Sequence, residues 1–149
     1  MKIIKATIDH LKDLSILFDQ YRIFYHQKSD VENAKLFLKE RLNNQESVIF
    51  LAQHSNGKVA GFVQLYPIFS SVSMKRSWLL NDLYVAPTFR QQGVGVALID
   101  AAKMLCATTS AKGLLLETGA DNVKAQALYV KTGFQKETNF FYFWKKNGG

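Results

Sequence analysis

The chain has a single cysteine, Cys106, so no internal disulfide can staple it. One cysteine alone also argues against structural zinc. The three histidines, His10, His26 and His54, lie far apart in no metal-ligand spacing, so no metal site is expected. There are two prolines, Pro67 and Pro87, and no Pro-, Gly- or Ser-rich stretch divides the chain. Apolar runs are short. Val48–Ala52 is typical, against the ~20 residues that cross a bilayer, so no transmembrane segment is expected. Met1–Lys5 turns polar at once and lacks an apolar leader. Together these absences predict a reducing, cytoplasmic setting. No repeat or low-complexity tract is present, and residues 1–149 read as one domain.

The rest of the composition is that of a soluble globular protein. The chain has 149 residues, 48% of them hydrophobic and 21% charged, which excludes disorder and a coiled-coil rod. Nineteen Lys and Arg against twelve Asp and Glu give a net charge of +7. That balance attracts nucleic acid, an acidic membrane or a phosphate-bearing cofactor. The charge is scattered, with Lys75-Arg76 and Lys145-Lys146 the densest spots, whereas nucleic-acid binders usually cluster theirs. A solubilising excess accounts for it equally well.

Periodicity sets the expected elements. Ile3–Ala6 reads as a strand, and Thr7 or Asp9 can cap the helix that follows. Leu11, Leu14, Leu17, Phe18, Tyr21 and Phe24 recur at helical spacing to about Tyr25. Asp30 opens a second helix with Ala34, Phe37, Leu38 and Leu42 on its apolar stripe. Val48–Ala52 and Val59–Ile68 read as a hairpin around Ser55-Asn56-Gly57. Ser70–Lys75 is a polar loop and Ser77–Val85 a further strand. A third helix runs from the glycines at 93 and 95 to about Thr108. Leu114–Thr118 is a short apolar strand of buried, parallel type. Asp121 or Asn122 caps a fourth helix to Thr132, with Gly133 suited to its end. Two strands close the chain, near Phe134–Lys136 and Phe140–Lys145. The order predicts an α+β (α/β layered) fold.

One segment has a chemical reading of its own. Arg90-Gln91-Gln92-Gly93-Val94-Gly95 lies between a strand and a helix. The first amides of a helix have no internal partner, and the helix dipole adds positive potential there. Glycines let that backbone approach an anion, and Arg90 adds a charge, so a diphosphate could lie across it. The segment lacks the Gly-x-x-x-x-Gly-Lys-Ser/Thr of a P-loop. It also places Leu98 where the dinucleotide fingerprint needs Gly or Ala. A ligand-free glycine helix entry is the alternative.

Arg90-x-x-Gly93-x-Gly95 after Leu83-Tyr84-Val85 resembles motif A of the GNAT superfamily of N-acetyltransferases. About thirty residues on, Asn122-x-x-Ala125-x-x-Leu128-Tyr129-x-Lys131-x-Gly133-Phe134 is similar to its motif B. The element order matches along essentially the whole chain. Within the superfamily, Gly61-Phe62, Leu80–Val85 and Tyr21–Tyr25 resemble spermidine/spermine and related polyamine or histone acetyltransferases.

The resemblance implies a mixed, mostly antiparallel sheet of six to seven strands, with a central splayed parallel pair and about four flanking helices. It implies acetyl transfer from acetyl-CoA to a primary amine by direct transfer in a ternary complex. By the same resemblance, Leu83, Tyr84 and Val85 pair with the pantetheine arm, and Arg90, Gln91, Gln92, Gly93, Val94, Gly95 and Val96 hold the diphosphate. Asn122 and Ala125 line the arm, and Tyr129 protonates the leaving thiolate. A phenol of pKa ≈ 10 is protonated at neutral pH and suits that task.

The acceptor amine must lose a proton before it attacks. Polyamine relatives carry a Glu for this where the present chain has Asn81, which is no base. Asn81 is therefore expected to orient a water. Asp82 is expected on the opposite face by strand alternation, and Glu117 is a further carboxylate to consider. Tyr21 and Tyr25 are expected at the acceptor mouth with Phe24, Tyr66 and Phe69, where aromatic faces can hold an ammonium at ~0.5–2 kcal/mol each. Asp19, Asp30 and Glu32 are the acidic residues nearby. Their sparseness and the +7 charge favour a small monoamine or peptidyl amine over a polyamine. Phe140–Trp144 reads as core or as a contact surface, which leaves a homodimer open. Two non-catalytic readings remain: an acyl-CoA-binding sensor and a basic RNA-binding module.

Overall fold

Apolar periodicity and capping account for the helices. The structure, a computed structural model, describes residues 1–146. After strand β1 (Lys2–Lys5), Thr7 and His10 close a capping box over a short 3-10 turn that leads into helix α1 (Leu11–Phe24). Leu11, Leu14, Leu17 and Phe18 form its buried stripe. Helix α2 (Val31–Asn43) starts where the Asp30 carboxylate accepts from the Asn33 backbone N–H, and it buries Ala34 and Leu38. The turn between α1 and α2 is tied by Asp19. Its buried carboxylate accepts from the Ser29 hydroxyl and the Asp30 N–H, each at 2.7 Å.

Strands β2 (Val48–Gln53), β3 (Val59–Ser70) and β4 (Lys75–Val85) are antiparallel neighbours, and β5 (Leu114–Leu115) adds a short parallel strand beside β4. The sheet order is β1-β2-β3-β4-β5. Helices α1 and α2 cover one face around Phe62, Leu51 and Tyr84. Helix α3 (Val94–Thr108) covers the other around Val63, Leu65, Trp78 and Leu80, with Leu128 and Tyr129 of α4 (Val123–Lys131) packed beside it. The result is the expected layered α+β fold.

The sheet departs from the expected one in three ways. It has five strands among the described residues, not six or seven: no strand forms at Phe134–Lys136 or Phe140–Lys145. The side chains of Phe140–Trp144 find nothing in their own chain to pack against. The parallel pair lies at the end of the sheet rather than at its centre, and β5 stops at Leu115 rather than Thr118. The β3–β4 hairpin is longer than expected. Its strands pair out to Ser70 and Lys75, so only Ser71–Met74 forms the turn. No helix among the described residues is long and apolar enough to cross a membrane.

Candidate active site

Two interruptions of regular pairing shape β4. The first is a bulge. Gln64 of β3 pairs with Asp82, but the next residue, Leu65, pairs with Leu80, so Asn81 is the extra residue. The bulge changes which side chains face which helix layer. Trp78 and Leu80 face α3, as do Leu83 and Val85, whereas Tyr84 faces α1 and α2. Asp82 therefore does not lie opposite Asn81, as unbroken alternation would place it. The Asn81 amide donates to the Asp82 carboxylate at 3.1 Å. Asn81 itself is exposed at the strand surface.

The second interruption is the parting of β4 from β5. The two pair only at Trp78–Leu114 and Leu79–Leu115. From Leu80 to Val85 the β4 edge facing away from β3 has no strand partner among the described residues. At ~3.3 Å per residue this leaves roughly 20 Å of free N–H and C=O groups for an extended ligand to pair with. Leu83, Tyr84 and Val85 lie on this edge.

At the end of that edge the chain turns into α3. Gly93 is the helix N-cap with φ +78°. A Cβ there would meet nothing within 4 Å, so the glycine is required by its left-handed backbone and not by crowding. Gln91 is also left-handed, at φ 61°. The first intrahelical amide bond is from Ala97 to Gly93 O, at 3.0 Å. The Val94, Gly95 and Val96 N–H groups thus lack intrahelical partners and point out of the helix start. Gly95 answers a different need: a Cβ there would lie 3.3 Å from Leu128 Cδ2, so it lets α4 pack closely on α3. The Arg90 Nε donates to Val85 O at 2.9 Å, and its guanidinium lies over Tyr84 and Phe24 at 5.6 and 5.9 Å. The Gln92 amide is held by Thr88 O at 3.3 Å.

Aromatic and polar groups from both layers converge beside the open edge. Tyr21 and Tyr25 of α1 pack edge-to-face at 5.1 Å, and Tyr21 also contacts Tyr84 and Phe62. Burial, then the charge of Asp82 and a hydrogen bond to it, raise the Tyr21 hydroxyl well above the ordinary phenol pKa. Burial, then Asp82, pushes Tyr66 up to about 12. Asp82 is buried and makes no ion pair among the described residues. The Gln64 amide donates to it at 2.7 Å, and Gln64 in turn accepts from Ser47 at 2.9 Å. A buried carboxylate held only by neutral donors keeps a negative field that a cation can answer.

Tyr129 approaches from the α3 and α4 layer. It packs edge-on against Phe134 at 5.7 Å. Burial, then the proximity of Tyr25, raises its hydroxyl above the ordinary phenol range. Tyr25 and Tyr129 belong to opposite layers of the fold. Asn122 caps α4: its Oδ1 accepts from the Ala125 N–H at 3.3 Å, which leaves its amide NH2 free. Ala125 is half-buried on the next turn.

Several expected contributors are committed elsewhere. Asp19 ties the α1–α2 turn and Asp30 caps α2, so neither is free to grip a polycation. Glu117 is exposed beyond the end of β5. His10 serves the capping box, and His54 packs on Phe89 at 5.6 Å. Burial raises the Cys106 thiol, which disfavours a reactive thiolate. No group of three or more His, Cys, Asp or Glu that could hold a metal occurs among the described residues.

The model for the acetyltransferase (GNAT) family matches residues 12–134. The chain belongs to the GNAT family. An uncharacterized N-acetyltransferase of Bacillus subtilis is 47% identical over 143 residues, which is 96% of this chain and 95% of that protein. A crystal structure of a probable acetyltransferase is 41% identical, with a TM-score of 0.92 over 98% of this chain and 97% of that one. An aminoglycoside N-acetyltransferase solved in complex with CoA shares the fold at 20% identity and a TM-score of 0.83, over 97% of this chain and 94% of that one. The chain is an acetyltransferase, and its fold is one that binds CoA. Its own features fit that ligand. The free edge of β4 suits an amide-bearing arm, and the unpartnered N–H groups at the start of α3 suit a diphosphate.

Proposed function

We propose that this GNAT enzyme acetylates a primary amine of a small molecule or peptide, directly, with acetyl-CoA and amine bound together. The observation that carries the proposal is the unpaired edge of β4, with Asn81 bonded to Asp82 on it and Tyr21 and Tyr129 within electrostatic reach of one another beside it. When bound, acetyl-CoA supplies the thioester-activated acetyl group. Leu83, Tyr84 and Val85 would hold its arm, with Asn122 and Ala125 across the gap. The loop Arg90-Gln91-Gln92-Gly93 and the N–H groups of Val94, Gly95 and Val96 would hold its diphosphate.

Tyr129 keeps its proton at neutral pH and donates it to the departing sulfur. Asn81 spends its NH2 on Asp82, which leaves its own Oδ1 to position the amine or a water. Asp82 draws the ammonium in and takes up the proton it loses, through that water. Tyr21 and Tyr25 present aromatic faces to the cation. With Asp19 and Asp30 committed to the turn and cap, Asp82 is the buried carboxylate left beside the mouth. That arrangement favours one ammonium at a time, hence a monoamine over a long polyamine. We place the activity in one catalytic domain over residues 1–149, in a cytoplasmic setting.

The test is thiol release measured with Ellman's reagent across monoamines, amino acids, polyamines, aminoglycosides and peptides, beside calorimetry with CoA and acetyl-CoA. Micromolar acetyl-CoA binding and turnover of at least one amine are expected. Tight binding with no turnover on any amine would point to a sensor. Absence of any heat with either ligand, joined to steeply salt-dependent RNA binding, would point to an RNA-binding module and sink the proposal.

A further inference from the structure

A row of buried polar side chains crosses the sheet and ends at Asp82. Its middle member, Gln64, lies on the central strand β3 between Val63 and Leu65, and all three are fully buried. An amide at such a place gives up its water and must find its hydrogen bonds within the protein. Gln64 finds two. Its NH2 donates to Asp82 Oδ2 at 2.7 Å, and its Oε1 accepts from the Ser47 hydroxyl at 2.9 Å. Asp82 is on β4, and the buried Ser47 directly precedes β2, so the row spans three adjacent strands.

The direction of these bonds follows from the charge at one end. A carboxylate only accepts, an amide has one donating and one accepting end, and a hydroxyl can do either. Facing the carboxylate, Gln64 must present its NH2, and Ser47 must then donate to the oxygen left over. Two dipoles in series thus turn their positive ends toward Asp82, and each strengthens the other in a low-dielectric interior. Asn81 holds the other oxygen, Oδ1, at 3.1 Å, so both oxygens of the carboxylate are anchored. These partners are all neutral. They steady the negative charge without cancelling it, which leaves it available to a cationic amine.

Ser47 is itself held by the turn before it. Glu46 accepts from Arg41 Nε at 3.2 Å and from the Asn44 amide at 3.3 Å, and the Glu46 N–H donates to Arg41 O at 2.9 Å. Gln45 makes the turn with a left-handed φ of 52°. The connection from α2 to β2 is thereby fixed against the end of α2.

We infer that Gln64 and Ser47 are positioning residues for acetyl transfer: Gln64 holds Asp82 as an oriented, charged acceptor beside the free edge of β4, and Ser47 holds the Gln64 amide in the orientation this requires. The inference rests on the role proposed for Asp82 above. It gives two residues outside both family motifs an effect on rate that passes through a third.

A double-mutant cycle on kcat separates this role from packing. The substrate is the amine with the highest turnover in the thiol-release panel. Gln64→Met keeps the length of the side chain and removes both hydrogen bonds. It should lower kcat by about tenfold, the scale of one hydrogen bond to a charged group, with KM for acetyl-CoA within about twofold. In an Asp82→Asn background the same substitution should change kcat by less than about twofold, because no charge is left to position. Equal losses in the two backgrounds would make Gln64 a packing residue, and no loss in either would leave it without a role; each result overturns the inference. Asp82→Asn with wild-type kinetics would sink the role of Asp82 and this inference together, so that single variant tells the two failures apart. Should Gln64→Met fail to fold, Ser47 decides. Ser47→Ala should lower kcat by about threefold, the scale of one neutral hydrogen bond, and Ser47→Thr, which keeps the hydroxyl, should bring the rate back. An unchanged rate in Ser47→Ala, or the same loss in both Ser47 variants, overturns the inference.

Discussion

At Tyr129, burial favours the protonated phenol, the form from which a proton donor to sulfur must start. Tyr129→Phe deletes the hydroxyl and leaves the packing on Phe134. It should lower kcat by about 10²-fold, the scale of general acid catalysis, while acetyl-CoA affinity by calorimetry stays within about twofold. Wild-type turnover in that variant would remove Tyr129 from the chemistry. Asp82→Asn is nearly isosteric; it removes the charge and turns one of the two oxygens that accept from Gln64 and Asn81 into a donor. It should lower kcat by a similar factor and raise KM for a cationic amine; unchanged kinetics would exclude Asp82 as proton acceptor. Tyr129, Asn122 and Ala125 were named as candidates by the resemblance to motif B. Asp82 was not, because a bulge has no composition of its own here. The one trace is a change of phase: Trp78 and Leu80 face α3, and so do Leu83 and Val85, with two residues rather than one between the pairs.

The two glycines before and within the first turn of α3 look alike in sequence and serve different physical ends. Gly93→Ala meets open space but must hold a left-handed φ, at about 1–2 kcal/mol. Gly95→Val instead drives a branched side chain into Leu128 and should cost about 1–3 kcal/mol. Leu128→Ala should recover part of the Gly95→Val loss and none of the Gly93→Ala loss. Urea denaturation of the single and double variants tests this coupling. Helix limits read well from sequence because caps and periodicity are local: Asp30, Asn122 and the α1 stripe all lie where spacing put them. The strands at the end of the chain read poorly. Phe140–Phe143 has strand composition, but a strand needs a partner, and composition does not say in which molecule that partner lies.

Across the molecule, three half-buried tyrosines tie stability to alkaline pH. Tyr21, Tyr66 and Tyr129 all have folded-state pKa values above the unfolded value of ~10, so the native state binds these protons more tightly. Their contribution is complete below about pH 10. It is lost as pH rises through the folded values, reaching about 12 for Tyr66. Urea unfolding between pH 9 and 11.5 should show stability falling with pH, by up to about 1.4 kcal/mol per unit for each tyrosine. Tyr66→Phe should make that fall shallower, and an unchanged slope would contradict the burial of its hydroxyl.

The sequence by itself determined the layered α+β order, the helix starts and the motifs that mark the family, because these depend on neighbours a few residues apart. Only the tertiary structure decided that Asn81 and Asp82 share one place, that β5 parts from β4 after Leu79, and that Tyr21 and Tyr84 pack together beside the edge this frees. Those features come from strand register, which is set by packing between residues far apart in the chain, and a shift of one residue there moves a side chain from one face of the sheet to the other.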